Sequence, residues 1–290
     1  MNPLALQFMQ LALVSAVLVG LTAPAVGVFL VQRRLALMGD GIGHIALTGV
    51  ALGFLLGTAP VLTAVVVATV GAVALELVRQ SGRTSGDVAL ALMFYGGIAG
   101  GVLLIGLAPG GSNANLLSYL FGSLTAVSPG DVVVIVVLSV VLLTTLAVFG
   151  RQLFAVCHDE EYARVAGLPV RFLNVLLAVL AALTVTVAMR VVGLLLVSAL
   201  MVVPVATAQQ LVRGFRSTVV VSLAVGVTAA VTGVLGSYYA DTAPGALIVV
   251  LALAAFGVAA VVGAVLRRTR RAPAPAEPVG VRLPEGSSAA

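Results

Sequence analysis

The chain has 290 residues, of which 61% are hydrophobic and only 9% are charged. A soluble domain carries about 25% charged residues, so this composition excludes an ordinary water-soluble globule. The net charge of +5 comes from arginines that lie between apolar segments and do not form one patch, which argues against a nucleic-acid-binding protein. The apolar runs approach 20 residues, the length at which a helix crosses a bilayer. The composition therefore predicts an all-α, polytopic transmembrane helix bundle.

About nine spans are predicted, at 9–31, 42–58, 60–79, 88–107, 130–149, 170–189, 191–211, 217–236 and 245–266. Every second junction between them contains arginine, and positive charge marks cytoplasmic loops. This alternation predicts a multi-pass protein of the bacterial plasma (inner) membrane with the N-terminus outside and the C-terminus inside, and Arg190 is its one exception. We expect one permease domain, 1–268, and a disordered cytoplasmic tail, 269–290, because the tail is rich in Pro, Ala, Ser and Gly.

An acid and an imidazole four residues apart flank the start of the second predicted span. If the helix begins near Gly39, just before that span, Asp40 and His44 share one helical face, with their Cβ atoms about 6 Å apart. A carboxylate and an imidazole at this spacing can both reach one divalent cation, and ionisable groups near a membrane interior indicate function. The alternative is that Asp40 lies at the interface, caps the helix and pairs with Arg33 or Arg34. Spacing alone leaves both interpretations open.

The connection between the fifth and sixth predicted spans is the longest charged one and is predicted to be cytoplasmic. Asp159, Glu160 and Glu161 suit the first turn of a short helix, where the helix dipole favours acids. Gly167 and then Pro169 would end that helix. A helix lying across the inner face can dock a cytosolic partner, whereas an ordinary solvated loop explains the same pattern.

The seventh predicted span contains a proline and several polar residues. Pro204 removes one backbone hydrogen bond and kinks a helix, and Ser198 lies on the same span. Kinked polar helices line transport pathways, although proline is also common in passive transmembrane helices. We regard Ser198 and Pro204 as candidates for a pathway or gating role.

These three segments, in this order, resemble the zinc/manganese-type permeases of ABC importers. The motif R-R-x-A-x-x-G-D-x-x-x-H-x-x-L-x-G-V-A-x-G begins at Arg33, and the run V-G-x-L-L-V-x-A-L-x-x-x-P-x-A-x-A begins at Val192. The remaining similarities are the cytoplasmic D-x-E-x-A-x-x-x-G on Asp159, Glu161, Ala163 and Gly167, YLFGSL at Tyr119–Leu124, and DTAPG at Asp241–Gly245. Glu160 departs from the family, which often has proline at this position.

The resemblance implies a permease fold like that of vitamin-B12 and iron-chelate importers. It further implies a homodimer with the pathway between protomers, a cytosolic ATP-binding subunit docked on the short helix, and an extracellular metal-binding lipoprotein or periplasmic protein that delivers the metal. The carried-over roles are metal contact for Asp40 and His44 and ATPase coupling for Asp159, Glu161, Ala163 and Gly167. The cargo would be a divalent transition metal (zinc, manganese or iron), and no permanent cofactor is expected.

The chain has no GxxxxGK[ST] phosphate loop, so we expect ATP hydrolysis by a separate partner subunit. Paired aspartates, a Ser/His dyad and HExxH are also absent from the sequence, so the chain is predicted to be a transport subunit and not an enzyme. One aspartate and one histidine cannot complete a tetrahedral site, so we expect either a site shared across a two-fold dimer or a weak site in each protomer completed by water. Two other functions stay open. One is the permease of an iron-chelate or vitamin ABC importer, and the other is an ion-coupled secondary transporter.

Overall fold

The computed structural model describes residues 6–82, 85–108, 118–123, 125, 127–194 and 196–269, with side chains to residue 265. All regular structure in these residues is helical, which confirms the predicted all-α class. The described residues contain ten helices and one further helical turn at 118–121. They are α1 (Gln7–Gln32), α2 (Met38–Leu55), α3 (Pro60–Ser81), α4 (Gly86–Leu107), α5 (Pro129–His158), α6 (Glu160–Val165), α7 (Val170–Ala188), α8 (Val197–Leu211), α9 (Phe215–Ala240) and α10 (Pro244–Thr269).

Eight of the described helices are 18–30 residues long and apolar enough to cross a membrane, which confirms the polytopic bundle. They correspond to eight of the nine predicted spans. The largest difference is in α5, which continues to His158 instead of ending near residue 149. Its last two turns stay helical because Leu153 and Val156, three residues apart, are both buried against the bundle.

The predicted span 191–211 is wrong as one continuous helix. Helix α8 starts only at Val197 and has 15 residues, so it is about 22 Å long and shorter than the hydrocarbon core. The preceding segment is held out of a helix by Gly193, whose φ of +89° lies in the left-handed region. The adjacent Leu194 N–H donates to the carbonyl of Tyr119 at 2.9 Å. Because this partner is 75 positions earlier in the sequence, hydropathy could not reveal the break.

Helix α2 lies inside the bundle, packed against α3, α4 and α7. Helix α1 packs on α5, α7, α8 and α9. The turn between α1 and α2 therefore joins the two parts of the bundle, and it directly precedes the predicted metal ligands in the sequence.

Arg190, the exception in the arginine pattern, is ion-paired. One of its terminal nitrogens lies 2.9 and 3.1 Å from the two carboxylate oxygens of Asp131, and its guanidinium lies 4.9 Å from the ring centre of Tyr119. Asp131 itself forms a capping box with Ser128 at the start of α5. Arg190 therefore has a partner within the described fold, and the predicted orientation of the termini stays a prediction.

Two sequence predictions extend beyond the described residues. The predicted tail, 269–290, begins at the last residue of α10, and residues 270–290 lie outside the described part of the chain. Leu124, the last residue of the YLFGSL segment, is also outside it.

Candidate metal pathway and docking helix

The predicted metal ligands lie on one half-buried face of α2. Asp40, His44 and Thr48 are spaced four residues apart and are all partly exposed, and this face is directed towards α4. The Thr48 hydroxyl donates to the carbonyl of Gly97 at 2.8 Å. The His44 ring meets the Phe94 ring edge to face, with the ring centres 4.3 Å apart. The helical spacing predicted this shared face.

A cavity of about 230 Å³ opens between the starts of α2 and α4, and Asp40 is one of its lining residues. Asp87, in the first turn of α4, also lines it. Sequence reasoning missed Asp87 because the predicted span began one residue later, at 88, which placed this acid in a loop. The only available indication was an acid immediately before an apolar run, and that pattern is equally typical of a helix N-terminus.

The side-chain cap and the ion pair considered for Asp40 are not seen in the described residues, although Asp40 does lie in the first turn of α2, where an acid is favoured. Helix α2 has no side-chain cap hydrogen bond. Arg33 pairs with Glu160, and Asp40 and Arg34 have no ion pair in this part of the chain. Among the described side chains, no group of three or more His, Cys, Asp or Glu could hold a metal ion. Because a tetrahedral site needs four ligands, Asp40 and His44 of one protomer form at most part of a site.

The predicted cytoplasmic helix is present as α6, and three residues of its motif build it. The Asp159 carboxylate accepts from the Tyr162 N–H at 2.9 Å as the N-cap. Ala163 is fully buried against the bundle. Gly167, with φ of +78°, ends the helix in a Schellman turn, in which the N–H of Leu168 donates to the carbonyl of Ala163 at 3.0 Å.

The outer face of α6 consists of Glu161, Tyr162 and Val165, which are all exposed. Tyr162 is 70% exposed and Val165 is 88% exposed. An aromatic and an aliphatic side chain at this exposure beside an acid are typical of a contact surface. Sequence reasoning missed Tyr162 and Val165 because they lie between the motif positions. Their spacing of three residues on a short capped helix was the available indication.

Arg33 connects α6 to the turn that precedes α2. Its guanidinium lies 2.7 Å from a carboxylate oxygen of Glu160 and donates to the side-chain carbonyl of Asn174 on α7. The Arg33 side chain is only 8% exposed, so this ion pair is shielded from water on the arginine side. Asp40 follows seven residues later, in the first turn of α2.

Ser198 and Pro204 lie in the protein interior and do not line the Asp40 cavity. Both are buried on α8. The Ser198 hydroxyl has no hydrogen-bond partner among the described residues, and a Cβ on Gly39 would lie 2.7 Å from it. Ser198 therefore packs behind the turn of α2 that carries Asp40, and a role in a pathway stays a prediction.

Comparison with known proteins gives consistent similarities along nearly the whole chain. The family described as the ABC 3 transport family matches residues 5–263. The manganese transport system membrane protein MntC of Listeria monocytogenes is 31% identical over 252 residues, which are 87% of this chain and 89% of that protein. The high-affinity zinc uptake system membrane protein ZnuB of Haemophilus influenzae is 31% identical over 239 residues, covering 82% and 91%. These matches confirm the resemblance to zinc/manganese-type permeases.

Solved structures agree with the fold. PsaBC from Streptococcus pneumoniae, solved in complex with a Fab, has a TM-score of 0.81 and 34% identity, covering 89% of this chain and 93% of that one. A metal-chelate type ABC transporter in an inward-facing conformation has a TM-score of 0.69 over 86% of this chain and 84% of its own. Its identity is 16%, so it supports the fold alone.

Proposed function

Because the chain belongs to the ABC 3 transport family, we propose that it is the membrane-spanning subunit of an ATP-driven importer of divalent transition metal ions. The cargo would be zinc, manganese or iron. The observation that carries this proposal is the face of α2 on which Asp40 and His44 lie together, with Asp40 lining a cavity. Manganese- and zinc-transport proteins are among the relatives, which supports a bare cation as the cargo in preference to a chelate.

We propose that a cation in transit contacts the Asp40 carboxylate and the His44 imidazole. A tetrahedral ion needs four ligands, so one that is bound by these two side chains needs two more. A homodimer with both pairs facing its axis would supply two carboxylates and two imidazoles, and water would complete the shell where the protomers are apart. Incomplete coordination suits transport, because an ion that is held too tightly cannot leave.

The partners follow from the same family. A cytosolic ATP-binding subunit would dock on the outer face of α6, where Glu161 offers a carboxylate beside the exposed Tyr162 and Val165. An extracellular metal-binding lipoprotein or periplasmic protein would deliver the ion at the opposite side. The ion pair between the buried Arg33 and the partly exposed Glu160 would relay a movement of α6 to the turn before Asp40.

The test is metal uptake and metal-stimulated ATP hydrolysis by the assembled permease–ATPase complex in vesicles, measured separately with zinc, manganese and iron. Asp40→Asn combined with His44→Ala is expected to abolish both activities for the transported ion. The matched control is Asp241→Asn, which removes an exposed carboxylate outside the cavity at a residue with φ of +49°, a conformation that asparagine tolerates.

Uptake that survives the double variant would show that the assigned ligands are wrong. Uptake that needs no ATPase subunit would instead favour a secondary transporter. Stimulation of ATP hydrolysis by an iron chelate but by none of the bare ions would favour the iron-chelate alternative.

A further inference from the structure

A second cavity lies where the end of α3, helix α6 and the start of α7 meet. Its volume is about 840 Å³. Three arginines line it, and each comes from a different helix: Arg79 from α3, Arg164 from α6 and Arg171 from α7. The acid among its lining residues is Glu160. All three helix ends belong to junctions that the arginine pattern assigns to the cytoplasmic side.

The cations in this cavity outnumber the acids that neutralise them. Arg79 is held by the buried carboxylate of Glu76 through two contacts of 2.8 Å. Arg164 lies 3.1 Å from Glu160. Arg171 is exposed, and its guanidinium has no ion pair within the described part of the chain. The cavity therefore presents a free guanidinium to an anion.

Glu160 neutralises less of this charge than its position suggests. It also binds the guanidinium of Arg33 at 2.7 Å, so one carboxylate serves two arginines. A phosphate group that entered the cavity would meet Arg171 directly and Arg164 beside it. Both would form charge-assisted hydrogen bonds with phosphate oxygens.

The charged cavity continues into an apolar groove on the outside of the bundle. An adjoining cavity of about 480 Å³ shares Gln80, Arg171 and Phe172 with the first and adds Leu77, Ser81 and Val175. Leu77 is 54% exposed and Phe172 is 52% exposed. On helices that cross a bilayer, such exposed apolar side chains face acyl chains.

We propose that the two adjoining cavities bind one anionic phospholipid. Its phosphate would lie against Arg171 and Arg164, and its acyl chains would follow the groove formed by Leu77, Phe172 and Val175. Free phosphate offers the same headgroup chemistry, but it would leave the groove uncovered, so the geometry favours a lipid. Basic cavities between transmembrane helices at the cytoplasmic side are suited to anionic headgroups.

The test uses the full chain purified in detergent. Phosphatidylglycerol, phosphatidylcholine and inorganic phosphate are titrated separately, with the melting temperature and native mass spectrometry as readouts. We expect phosphatidylglycerol to raise the melting temperature and to remain bound as one molecule per protomer. Phosphatidylcholine and inorganic phosphate at the same concentration should neither raise the melting temperature nor remain bound.

Arg171→Gln is expected to weaken phosphatidylglycerol binding about fivefold, since one interfacial arginine contributes on this scale. Adding Arg164→Gln should weaken it about 25-fold in total if the two contributions are independent. The matched control is Arg216→Gln, an exposed arginine at the start of α9 that makes the same change in net charge away from the cavity.

Three results would overturn the proposal. Full binding by the double variant would place the lipid elsewhere, and equal weakening by Arg216→Gln would reduce the effect to net charge. An effect reproduced by inorganic phosphate alone would identify a phosphate site without a lipid. Because the readout is lipid binding, the outcome is independent of whether the chain transports a metal.

Discussion

The contact between α2 and α4 at His44 can be tested with two adjacent glycines of α4. A Cβ on Gly97 would lie 2.6 Å from the carbonyl carbon of His44 and 2.7 Å from its oxygen, whereas ordinary contacts begin near 3.4 Å. Both atoms belong to backbone inside a helix, so no side-chain rotation relieves the clash. Gly96 precedes Gly97 on the same helix, and a Cβ there would have nothing within 4 Å.

Gly97→Ala is therefore expected to force α2 and α4 apart by several tenths of an ångström and to displace the backbone that carries His44. Overpacking of this kind costs about 1–3 kcal/mol, and that cost corresponds to a fall of roughly 3–10 °C in the melting temperature. Gly96→Ala adds the same methyl group in open space. It should leave stability unchanged or raise it by up to about 1 kcal/mol, because alanine favours a helix more than glycine does.

The assay is thermal unfolding of each purified variant in the same detergent, followed by metal uptake after reconstitution. Gly97→Ala should lose stability and uptake together, and Gly96→Ala should retain both. Equal behaviour of the two variants would refute the close approach of α2 and α4. If Gly97→Ala loses stability but keeps full uptake, the contact between α2 and α4 stabilises the protein without being needed for transport at Asp40 and His44.

Two further predictions concern α6. Arg33→Glu places two carboxylates together at Glu160 and should reduce metal-stimulated ATP hydrolysis by the complex, because the like charges repel and the buried end of the pair loses its partner. Glu160→Arg in the same chain should restore most of the activity. Failure to restore it would show that the pair has no positioning role. Glu161→Lys reverses an exposed charge and should lower co-purification with the ATP-binding subunit about tenfold, whereas Glu161→Gln should lower it less. Unchanged co-purification with Glu161→Lys would count against docking on this face.

Local sequence rules predicted those parts of the structure that depend on neighbouring residues. The apolar runs identified eight long helices because length and hydropathy are properties of a single segment. The capping acids and the terminal glycine identified α6 because a helix end is satisfied within a few residues. The spacing of Asp40 and His44 placed them on one face of α2 for the same reason.

Features that depend on distant residues were not predicted. The break before α8 depends on Gly193 packing against the turn at 118–122, and the apolar run across it reads as one span. The position of Asp87 in the Asp40 cavity depends on how α2 and α4 cross. In each case the decisive contact is made by a segment that is distant in sequence. The local hydrophobic pattern therefore contains no information about it.

The ion pair between Arg33 and Glu160 is better explained as a contact that fixes the relative placement of helices than as one that adds to the stability of the fold. Burying an ion pair adds little net stability, because the loss of hydration offsets most of the attraction, and an apolar contact of similar volume would hold two helices at least as well. An ion pair differs from an apolar contact in fixing direction, since Arg33 binds Glu160 and Asn174 at the same time. This arrangement holds α6 and α7 in one register with the turn before Asp40. A displacement of α6 by a docked partner would therefore act on Arg33 at the end of α1. The turn that follows leads directly to the start of α2, where the proposed cation contacts begin.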